Sequence, residues 1–540
     1  MTSGLTSSYR AADTSRPVWE MTAGDALRRA AELARDRAAL VEAAPKGLAS
    51  VSGAATTDRR WTYVELLVDA EACARWLLAR FAPGDHICLW APNVPEWVIV
   101  QYGAALAGLV LVTANPSLRA EELRHVLDRS KAKALIHVEA FRGSDMTAIA
   151  RIAAPSLDHI LIGEVAAAIP RHRHGSPLPA VSPLAPAQMQ FTSGTTGRPK
   201  GALLTHRALV TNASLVATRI GQGGDTVVTP MPLFHTAGSV LGVLGAVTSL
   251  STLVLPVLFD PVLMLDTIQR ERGTVTSGVP TMLAAMMAEL DRADYDLSSL
   301  RILFSGGAPV APELLARVEQ RFGCRMMSVY GQTELSPIIC ATDYNDTQAD
   351  RAGTAGRPLP QVEVRIVQPG THDPLPLGDQ GEIQARGYQT MIGYYGQPDE
   401  TDLTLLADGW LRTGDLGLMD DRGYVQVTGR LSDMIIRGGE NIYPAEIEAV
   451  LLRHPAIAEV AVFGIPHPTW GETVAASVRL REGLATVDHQ QLKDHCRSLL
   501  SPQKTPSSWF VASEFPLTAS GKIQKFALSQ QAAEGSLHSL

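Results

Sequence analysis

The stretch Phe191–Gly201 reads FTSGTTGRPKG and combines three threonines, one serine, three glycines and one lysine. Glycines let the backbone turn tightly so that its N–H groups converge, and hydroxyl groups and an ammonium supply further hydrogen-bond donors. A loop of this composition suits a polyphosphate. It is not a Walker A loop, which needs Gly-Lys-[Ser/Thr] in succession, because Arg198 and Pro199 separate Gly197 from Lys200. The sequence therefore predicts a polyphosphate site of another kind.

Lysine is scarce in this chain, which draws attention to the few that occur. Only eight of the 47 basic residues are lysines, and none lies between Lys200 and Lys493. Because arginine is the ordinary cation here, a lysine in a polar loop indicates a need for a compact, movable ammonium. The alternative is an exposed loop lysine, and the surrounding hydroxyls and glycines favour the phosphate contact. A second candidate is Lys522, in PLTASGKIQK near the end of the chain.

Composition limits the classes of function. The chain has 540 residues, 46% of them hydrophobic and 19% charged, which is typical of a well-buried globular protein with several domain-sized units. A formal net charge of −8 makes nucleic acid and anionic membranes unlikely partners. The five cysteines lack C-x-x-C spacing, and the first residues lack the pattern of a signal peptide, so we expect a cytoplasmic protein. We expect no transmembrane segment, since the longest apolar stretches are interrupted by polar residues and glycines.

The order of patterns along the chain predicts its organisation. Residues 23–138 and 225–340 alternate helical patterns, among them Asp25–Arg37 and Pro312–Phe322, with short apolar runs, which favours parallel α/β sheets. The loops after residues 304 and 330 each follow a predicted strand, and so lie at the carboxyl edge, where open α/β sheets bind ligands. Beyond residue 350 the pattern alternates with period two, which indicates an antiparallel, barrel-like unit. After residues 429–444 a smaller α+β unit follows.

Seven segments together identify a family. They read FTSGTTGRPKG at 191–201, PMPLFHTAG at 230–238, SGGAP at 305–309, YGQTE at 330–334, GWLRTGDLG at 409–417, GRLSDMIIRGGEN at 429–441 and TASGKIQK at 518–525. In these segments and in their order, the chain resembles the adenylate-forming superfamily of acyl- and aryl-CoA synthetases, adenylation domains and luciferases. The resemblance covers nearly the whole chain.

The resemblance implies an α/β fold in two domains. Residues 1–431 are expected to form a large N-terminal domain of two α/β sheets plus a β-barrel, and residues 432–540 a small mobile α+β domain that rotates over the active site. The implied chemistry is attack of a carboxylate on the α-phosphate of ATP, which gives an acyl-adenylate and pyrophosphate, followed by transfer of the acyl group to the thiol of CoA. Charge that develops on the phosphoryl oxygens needs fixed cations and Mg²⁺.

The resemblance also assigns nucleotide-binding residues. The phosphate loop would hold the β- and γ-phosphates through Thr192, Ser193, Gly194, Thr195, Thr196 and Lys200. The α-phosphate would contact Thr333, and Glu334 would ligate Mg²⁺. Adenine would lie between the backbone of Gly307, Ala308 and Pro309 and the ring of Tyr330, which precedes Gly331. The ribose hydroxyls would bind Asp415, assisted by Arg430, and Lys522 would bridge the substrate carboxylate and the α-phosphate.

The acyl and CoA sites are assigned in the same way. An acyl pocket is expected at His235, Gly278, Ser305 and Gly306, and a pantetheine tunnel at Arg437, Gly438 and Gly439. Trp470 matches a position that stacks on the adenine of CoA, although a core tryptophan is an equal alternative. The chain departs from the family at Ser432, the pivot of the domain rotation, where aspartate or lysine is usual. This departure puts the second half-reaction in doubt more than the first.

The substrate is argued from two features. His235 stands where domains that activate amino acids carry an aspartate for the α-ammonium, so an α-amino acid is disfavoured because a buried cation needs a counter-charge. Small residues around the expected pocket leave volume for a fatty or bulky alicyclic acid. The expected acceptor is CoA. The alternative function is a stand-alone acyl-adenylating enzyme that loads an acyl carrier protein or hands the acyl-adenylate to a partner enzyme. A luciferase-type oxygenase and an inactive nucleotide-binding scaffold also stay open, and a homodimer is one possible assembly.

Overall fold

The structure is a computed structural model. It describes residues 4–45, 50–54, 58–192, 199–307, 312–438, 440–481, 487–517 and 523–540. The predicted site residues Ser193, Gly194, Thr195, Thr196, Ala308, Pro309, Gly439 and Lys522 lie outside the described residues.

The first sheet has seven strands. Their spatial order is Gly393–Tyr394, Lys200–Thr205, Pro186–Thr192, Val110–Ala114, His86–Trp90, Ala134–His137 and Asp158–Leu161. The last five run parallel, and Pro186–Thr192 pairs antiparallel with Lys200–Thr205. The apolar runs predicted as strands in the N-terminal region are therefore confirmed, and the phosphate loop connects two neighbouring strands.

The second sheet has nine strands. Their spatial order is Arg357–Pro358, Ile338–Ala341, Arg325–Gly331, Ile302–Gly306, Val275–Ser277, Thr226–Val228, Thr252–Pro256, Ala38–Ala43 and Arg60–Thr62. The six strands from Arg325–Gly331 to Ala38–Ala43 are parallel. Strand Ala38–Ala43 comes early in the chain and nevertheless pairs with Thr252–Pro256 in this second sheet.

Helices fill the connections. The α-helices are Ala23–Leu33, Tyr63–Leu78, Pro95–Ala107, Ala120–Ser130, Met146–Ala153, Ile162–Ala168, His206–Arg219, Gly245–Thr248, Pro261–Arg270, Pro280–Leu290, Pro312–Phe322, Gln348–Gly353, Pro398–Thr404, Pro444–Leu451, His489–Leu499 and Lys525–Ala533. Short 3₁₀ helices span Ile169–Arg171, Thr333–Leu335, Leu431–Asp433 and Pro502–Lys504, and a π-helix spans Ala237–Leu244.

Capping residues set where several helices begin. Thr22 accepts a hydrogen bond from the backbone N–H of Asp25, whose side chain in turn accepts from the Thr22 backbone. Thr205 caps the helix that begins at His206 with a single hydrogen bond, which its hydroxyl accepts from the backbone N–H of Ala208. A hydroxyl at the N-cap satisfies a backbone donor that has no partner inside the helix. This capping starts the first helix at Ala23, two residues before the predicted start at Asp25.

The third sheet is antiparallel throughout. Its five strands are Tyr9–Arg10, Val362–Val367, Gly381–Gly387, Leu411–Met419 and Val425–Arg430. The period of two seen in the sequence places Val362, Val364 and Ile366 in the core, where all three are fully buried. Arg365, which lies between two of them, is buried as well. This unit delivers Asp415 and Arg430 from adjacent strands.

The C-terminal residues form a fourth sheet with its own apolar core. The strands lie in the order Glu440–Ile442, Ile435–Arg437, Gly471–Leu480, Ser508–Val511 and His538–Ser539, and Ile457–His467 also pairs with Gly471–Leu480. The helix predicted to bury Ile447, Val450 and Leu451 spans Pro444–Leu451, and all three side chains are buried. A two-stranded hairpin at Ala140–Phe141 and Ser144–Asp145 completes the described strands.

Two general expectations are borne out by the described part of the chain. All five cysteines are unpaired and buried, as expected for small apolar residues. Within the described residues, each helix is too short or too polar to cross a membrane.

Candidate active site

The described ends of the phosphate loop are held together by a strand pair. Thr192 is the Cα partner of Lys200 in the antiparallel pair Pro186–Thr192 and Lys200–Thr205. The loop thus begins and ends at neighbouring points on the edge of the first sheet. Lys200 lies at its base, with only 12% of its side chain exposed.

The ammonium of Lys200 has two described neighbours. Its Nζ lies 2.5 Å from Oε2 of Glu400 and 5.2 Å from the centre of the Tyr394 ring. Tyr394 is brought there by its strand, because it pairs with Ala202 two residues after Lys200. Glu400 lies in the first turn of helix Pro398–Thr404, which follows that strand directly.

Glu334 is tied to the same cluster. Its Oε1 accepts a hydrogen bond of 2.7 Å from the Tyr394 hydroxyl, and its carbonyl accepts one from the backbone N–H of Met391. Glu334 and Thr333 are each only 9% exposed, in the 3₁₀ helix Thr333–Leu335. Burial, followed by the neighbouring Glu334 carboxylate, raises the pKa of the Tyr394 hydroxyl, so Tyr394 stays a neutral donor that fixes the Glu334 side chain.

The proposed ribose site is a buried carboxylate with partners from both sides. Oδ2 of Asp415 accepts a hydrogen bond of 2.9 Å from the Tyr330 hydroxyl, and Nε of Arg430 lies 3.1 Å from Oδ1. Asp415 and Arg430 are also register partners on strands Leu411–Met419 and Val425–Arg430. Burial, followed by the Asp415 carboxylate, raises the pKa of Tyr330. The second and third sheets therefore meet where the side chains of Tyr330 and Asp415 are in contact.

Glycines near the predicted adenine site are explained by close backbone approach. A Cβ on Gly331 would lie 1.9 Å from the carbonyl oxygen of Pro337, and one on Gly306 would lie 2.6 Å from that of Val329. Both positions therefore exclude any side chain. Gly307 differs, since it has a φ of +79° and open space at its Cβ position. A left-handed residue with free space beside it suits the close approach of a planar base.

The predicted acyl pocket residues come from two loops and the end of one strand. His235 precedes the π-helix Ala237–Leu244, and its Nδ1 accepts a hydrogen bond of 3.2 Å from the backbone of Ala237. Ser305 is buried at the end of strand Ile302–Gly306. Gly278 follows strand Val275–Ser277, where a Cβ would lie 3.1 Å from Cδ2 of Leu283. Neighbouring backbone thus excludes a side chain at Gly306. At Gly278 the contact is with the end of a flexible side chain, and the prediction that this position leaves volume for the acid stays a prediction.

Three of the residues predicted to contact CoA, Arg437, Gly438 and Trp470, lie together at the fourth sheet. The backbone N–H of Gly438 donates to the carbonyl of Trp470 at 2.8 Å, and the Arg437 guanidinium lies 5.9 Å from the Trp470 ring centre. Gly438 has a φ of +60°, and a Cβ there would lie 2.8 Å from the indole. Trp470 is 49% exposed, which excludes the alternative of a core tryptophan. At the predicted hinge, Ser432 Oγ donates to Asp433 Oδ1 at 3.3 Å.

A chain of contacts runs through the described candidates. Lys200 contacts Tyr394, which holds Glu334 beside Thr333, while Tyr330 of the same strand–loop segment holds Asp415 against Arg430. Sequence reasoning missed Tyr394 and Glu400. The signal for Tyr394 was the segment Gly393–Tyr395, two aromatic residues after a glycine, and the sequence around Glu400 resembles any solvated helix start.

The comparisons with families and curated proteins agree with one another. Residues 27–395 match the family model of the AMP-binding enzyme, and residues 446–522 match that of the AMP-binding enzyme C-terminal domain. A putative acyl-CoA synthetase of Bacillus subtilis (strain 168) is 39% identical over 511 residues, covering 88% of this chain and 92% of the relative. The mitochondrial medium-chain acyl-CoA ligase of Bos taurus is 36% identical over 514 residues, covering 87% and 83%.

Solved structures share the fold over almost the full length. ATP-bound MatB from Rhodopseudomonas palustris superposes with a TM-score of 0.85 at 27% identity, covering 96% of this chain and 100% of the other. The o-succinylbenzoate CoA synthetase from Bacillus subtilis, in complex with its acyl-adenylate intermediate, gives a TM-score of 0.81 at 29% identity, covering 94% and 98%. The fold of this chain is thus similar to folds solved with ATP and with an acyl-adenylate.

Proposed function

The chain belongs to the AMP-binding enzyme family, within which it is an ATP-dependent acyl-CoA synthetase, and on that premise we propose that it activates a medium-chain fatty acid or a bulky alicyclic acid of similar size. The observation that carries the proposal is a pair of contact clusters, Lys200–Tyr394–Glu334 and Tyr330–Asp415–Arg430, which the short segment from Tyr330 to Glu334 joins. It provides a cation for phosphate at one end and a carboxylate for ribose at the other.

The reaction has two bond exchanges. In the first, a carboxylate oxygen of the acid attacks the α-phosphorus of ATP, and the bond from that phosphorus to the bridging oxygen breaks to release pyrophosphate. In the second, the sulfur of CoA attacks the acyl carbonyl carbon, loses its proton, and AMP leaves. Each step moves negative charge onto phosphoryl oxygens, so preorganised cations and donors lower the barrier.

The predicted site residues take specific roles in this proposal. Lys200 neutralises the β- and γ-phosphates, together with Thr192 and the loop residues 193–196. Thr333 donates to the α-phosphate, the Tyr330 ring stacks on adenine beside Gly307 and Gly331, and Asp415 accepts from the ribose hydroxyls. Lys522 completes the charge around the α-phosphate when the C-terminal residues close over the site.

Glu334 is the residue that suits Mg²⁺. The described residues contain no group of three or more His, Cys, Asp or Glu side chains able to cage a metal ion. Mg²⁺ usually coordinates one or two protein carboxylates and completes its coordination shell with phosphate oxygens and water. A buried carboxylate beside a phosphate site fits this preference. When bound, the ion supplies Lewis-acid polarisation of the phosphates. The Tyr394 hydroxyl orients Glu334 for this role.

Three sources support the proposed acid. The Bos taurus relative is named a medium-chain acyl-CoA ligase. His235 occupies the position of the aspartate that amino-acid substrates need. Ser305 and the loops around Gly278 lie at the carboxyl edge of the second sheet, beside the nucleotide residues.

The domain boundary, the CoA site, the cellular location and the acceptor are also proposals. We place the domain boundary between residues 431 and 432, and the pantetheine of CoA beside Arg437, Gly438 and Gly439 with Trp470 at the adenine. The unpaired, buried cysteines support a cytoplasmic location. CoA is the proposed acceptor. The alternative acceptor is a carrier-protein thiol, and the assay described next distinguishes the two.

The test is a panel assay that separates the two half-reactions. Pyrophosphate release and thioester formation are measured with ATP, with and without CoA, for short-, medium- and long-chain saturated acids, cyclohexanecarboxylate, benzoate and an α-amino acid. We expect the highest kcat/KM for medium-chain or alicyclic acids, with thioester formed only when CoA is present. Turnover confined to benzoate or to the amino acid would overturn the proposed substrate class, and adenylation without thioester would favour a carrier-protein acceptor.

A further inference from the structure

Lys200 and Glu400 form an ion pair at the base of the phosphate loop. Nζ of Lys200 and Oε2 of Glu400 are 2.5 Å apart, with 12% of the lysine side chain and 35% of the glutamate side chain exposed. The two residues are far apart in sequence, and the pairing of strand Gly393–Tyr394 with Lys200–Thr205 brings them together. Helix Pro398–Thr404 then presents Glu400 from its first turn.

The pair has the chemistry of a phosphate contact. A carboxylate offers an ammonium the same charge-assisted hydrogen bond as a phosphate oxygen. A largely buried ammonium needs a counter-charge, because removing it from water without one is unfavourable. Glu400 supplies that counter-charge at the base of the phosphate loop.

We propose that Glu400 is a positioning residue for the nucleotide: Lys200 exchanges the Glu400 carboxylate for the phosphates of ATP, and returns to it when pyrophosphate leaves. This inference rests on the proposed role of Lys200. The greater exposure of Glu400 fits the exchange, because its carboxylate can regain water when released whereas the lysine stays buried.

The exchange has a predictable effect on affinity. When a binding-competent state is only partly populated, the apparent dissociation constant rises in proportion. The Lys200–Glu400 pair lowers the population of free ammonium, so it weakens ATP and pyrophosphate binding by the same factor. The enzyme thereby avoids holding its product pyrophosphate tightly, and Glu400 prevents the lysine from adopting unproductive positions between turnovers.

The experiment compares two neighbouring charge removals in the full-length protein. Glu400→Gln removes the partner of Lys200, and Asp399→Asn removes an equal charge from the same helical turn at an exposed residue. We expect Glu400→Gln to lower the KM for ATP and the inhibition constant of pyrophosphate by about three- to ten-fold each, and to lower kcat where pyrophosphate release limits turnover. Asp399→Asn should leave both constants within about two-fold. Glu400→Asp, which keeps the charge, should restore part of the wild-type values.

Each outcome decides the matter. Thermal unfolding first establishes that Glu400→Gln is folded. An unchanged or raised KM for ATP in this variant overturns the inference. So does a change of KM in Asp399→Asn as large as the change in Glu400→Gln. Lys200→Ala separates this test from the proposed function. If Lys200→Ala leaves the KM for ATP unchanged, the role of Lys200 itself is wrong; if it raises the KM while Glu400→Gln has no effect, only the exchange is wrong.

Discussion

The Tyr330 hydroxyl donates a hydrogen bond of 2.9 Å to Oδ2 of Asp415, which joins the end of a strand in the second sheet to a strand of the third. The bond fixes the plane of the aromatic ring and one oxygen of the carboxylate at once. In the proposed site the ring faces adenine and the carboxylate faces ribose, so a single preassembled unit would recognise both halves of the nucleoside.

Removing only the hydroxyl tests that unit. Tyr330→Phe keeps the stacking face and loses the bond to Asp415, so we expect the KM for ATP to rise about three- to ten-fold with kcat nearly unchanged. Tyr330→Leu loses the aromatic face as well and should raise the KM further. Initial-rate kinetics give both values. A wild-type KM in Tyr330→Phe would contradict a contribution of the hydroxyl, and equal effects of the two substitutions would contradict one of the aromatic face.

The Asp415 carboxylate should set the preference for ribose. Wild-type enzyme should use ATP better than 2′-deoxy-ATP. Asp415→Asn should narrow that ratio of kcat/KM values by about ten-fold or more, because the amide has one acceptor oxygen and a donor NH2 group where the carboxylate has two acceptor oxygens. The ratio is measured by pyrophosphate release with each nucleotide. A ratio that stays at the wild-type value would place the ribose elsewhere.

Lys522 should serve only the first half-reaction. Lys522→Ala removes the cation proposed at the α-phosphate, so adenylation should fall by about 100-fold or more. Thioester formation from a supplied acyl-adenylate and CoA should stay within a few-fold of wild type. Both rates are followed in single-turnover assays, and adenylation that survives the substitution would refute this role.

Gly356 offers a test of packing away from the site. Its φ is +83°, and a Cβ there would lie 2.0 Å from the carbonyl carbon of Ala341. Gly356→Ala should therefore destabilise the protein by more than about 4 kcal/mol. Gly378 is the matched control, because it has a φ of +81° but open space around its Cβ position. Gly378→Ala should show only the backbone strain, about 1–2 kcal/mol, when the unfolding of both variants is measured in denaturant.

His206 should make stability depend on pH. The ring is fully buried, and burial lowers its pKa from 6.5 to about 4, with Asp25 opposing the shift. Between these values the unfolded chain binds a proton that the folded protein does not, so stability falls as pH falls from about 6.5 to about 4, at about 1.4 kcal/mol per pH unit from this group. Above pH 6.5 the contribution is constant.

A substitution isolates that contribution. His206→Asn retains an acceptor for the Ala23 N–H, which bonds to Nδ1 at 3.4 Å, and it cannot gain a proton. Unfolding transitions of wild type and variant, measured from about pH 7 to about pH 4, should converge as the pH falls. The exposed His538→Asn serves as the control. Parallel pH profiles of wild type and His206→Asn would rule out the assignment.

Local patterns in the sequence predicted the elements well, and long-range pairing escaped them. Helix Pro312–Phe322 has the predicted bounds, because Pro312 starts it and its apolar residues recur at helical spacing. The strand Ala38–Ala43 could not be assigned to the second sheet, since its partner Thr252–Pro256 lies some 200 residues further on. Periodicity reports how a residue is buried, whereas the choice of neighbour depends on the whole fold.

In the candidate site, too, local sequence patterns were informative and long-range contacts were not. The residue types around Tyr330, Glu334 and Asp415 pointed to a nucleotide site, because few other ligands need that combination. Gly306 was interpreted as a pocket wall, and the structure gives a different reason, the carbonyl of Val329 on the adjacent strand. Glu400 carried no local signal, because its importance lies in a contact that exists only after two strands have paired.

The early strand Ala38–Ala43 also governs how the chain can be made. On a ribosome it emerges long before Thr252–Pro256, so the second sheet cannot close until more than half of the N-terminal residues have been synthesised. During that interval the apolar strand Ala38–Ala43 lacks its partner Thr252–Pro256. An unpaired apolar strand is prone to aggregate or to be bound by chaperones. Fragments ending before residue 252 should therefore be insoluble, and splitting the gene for separate expression will succeed only at a junction that leaves both strands in one piece.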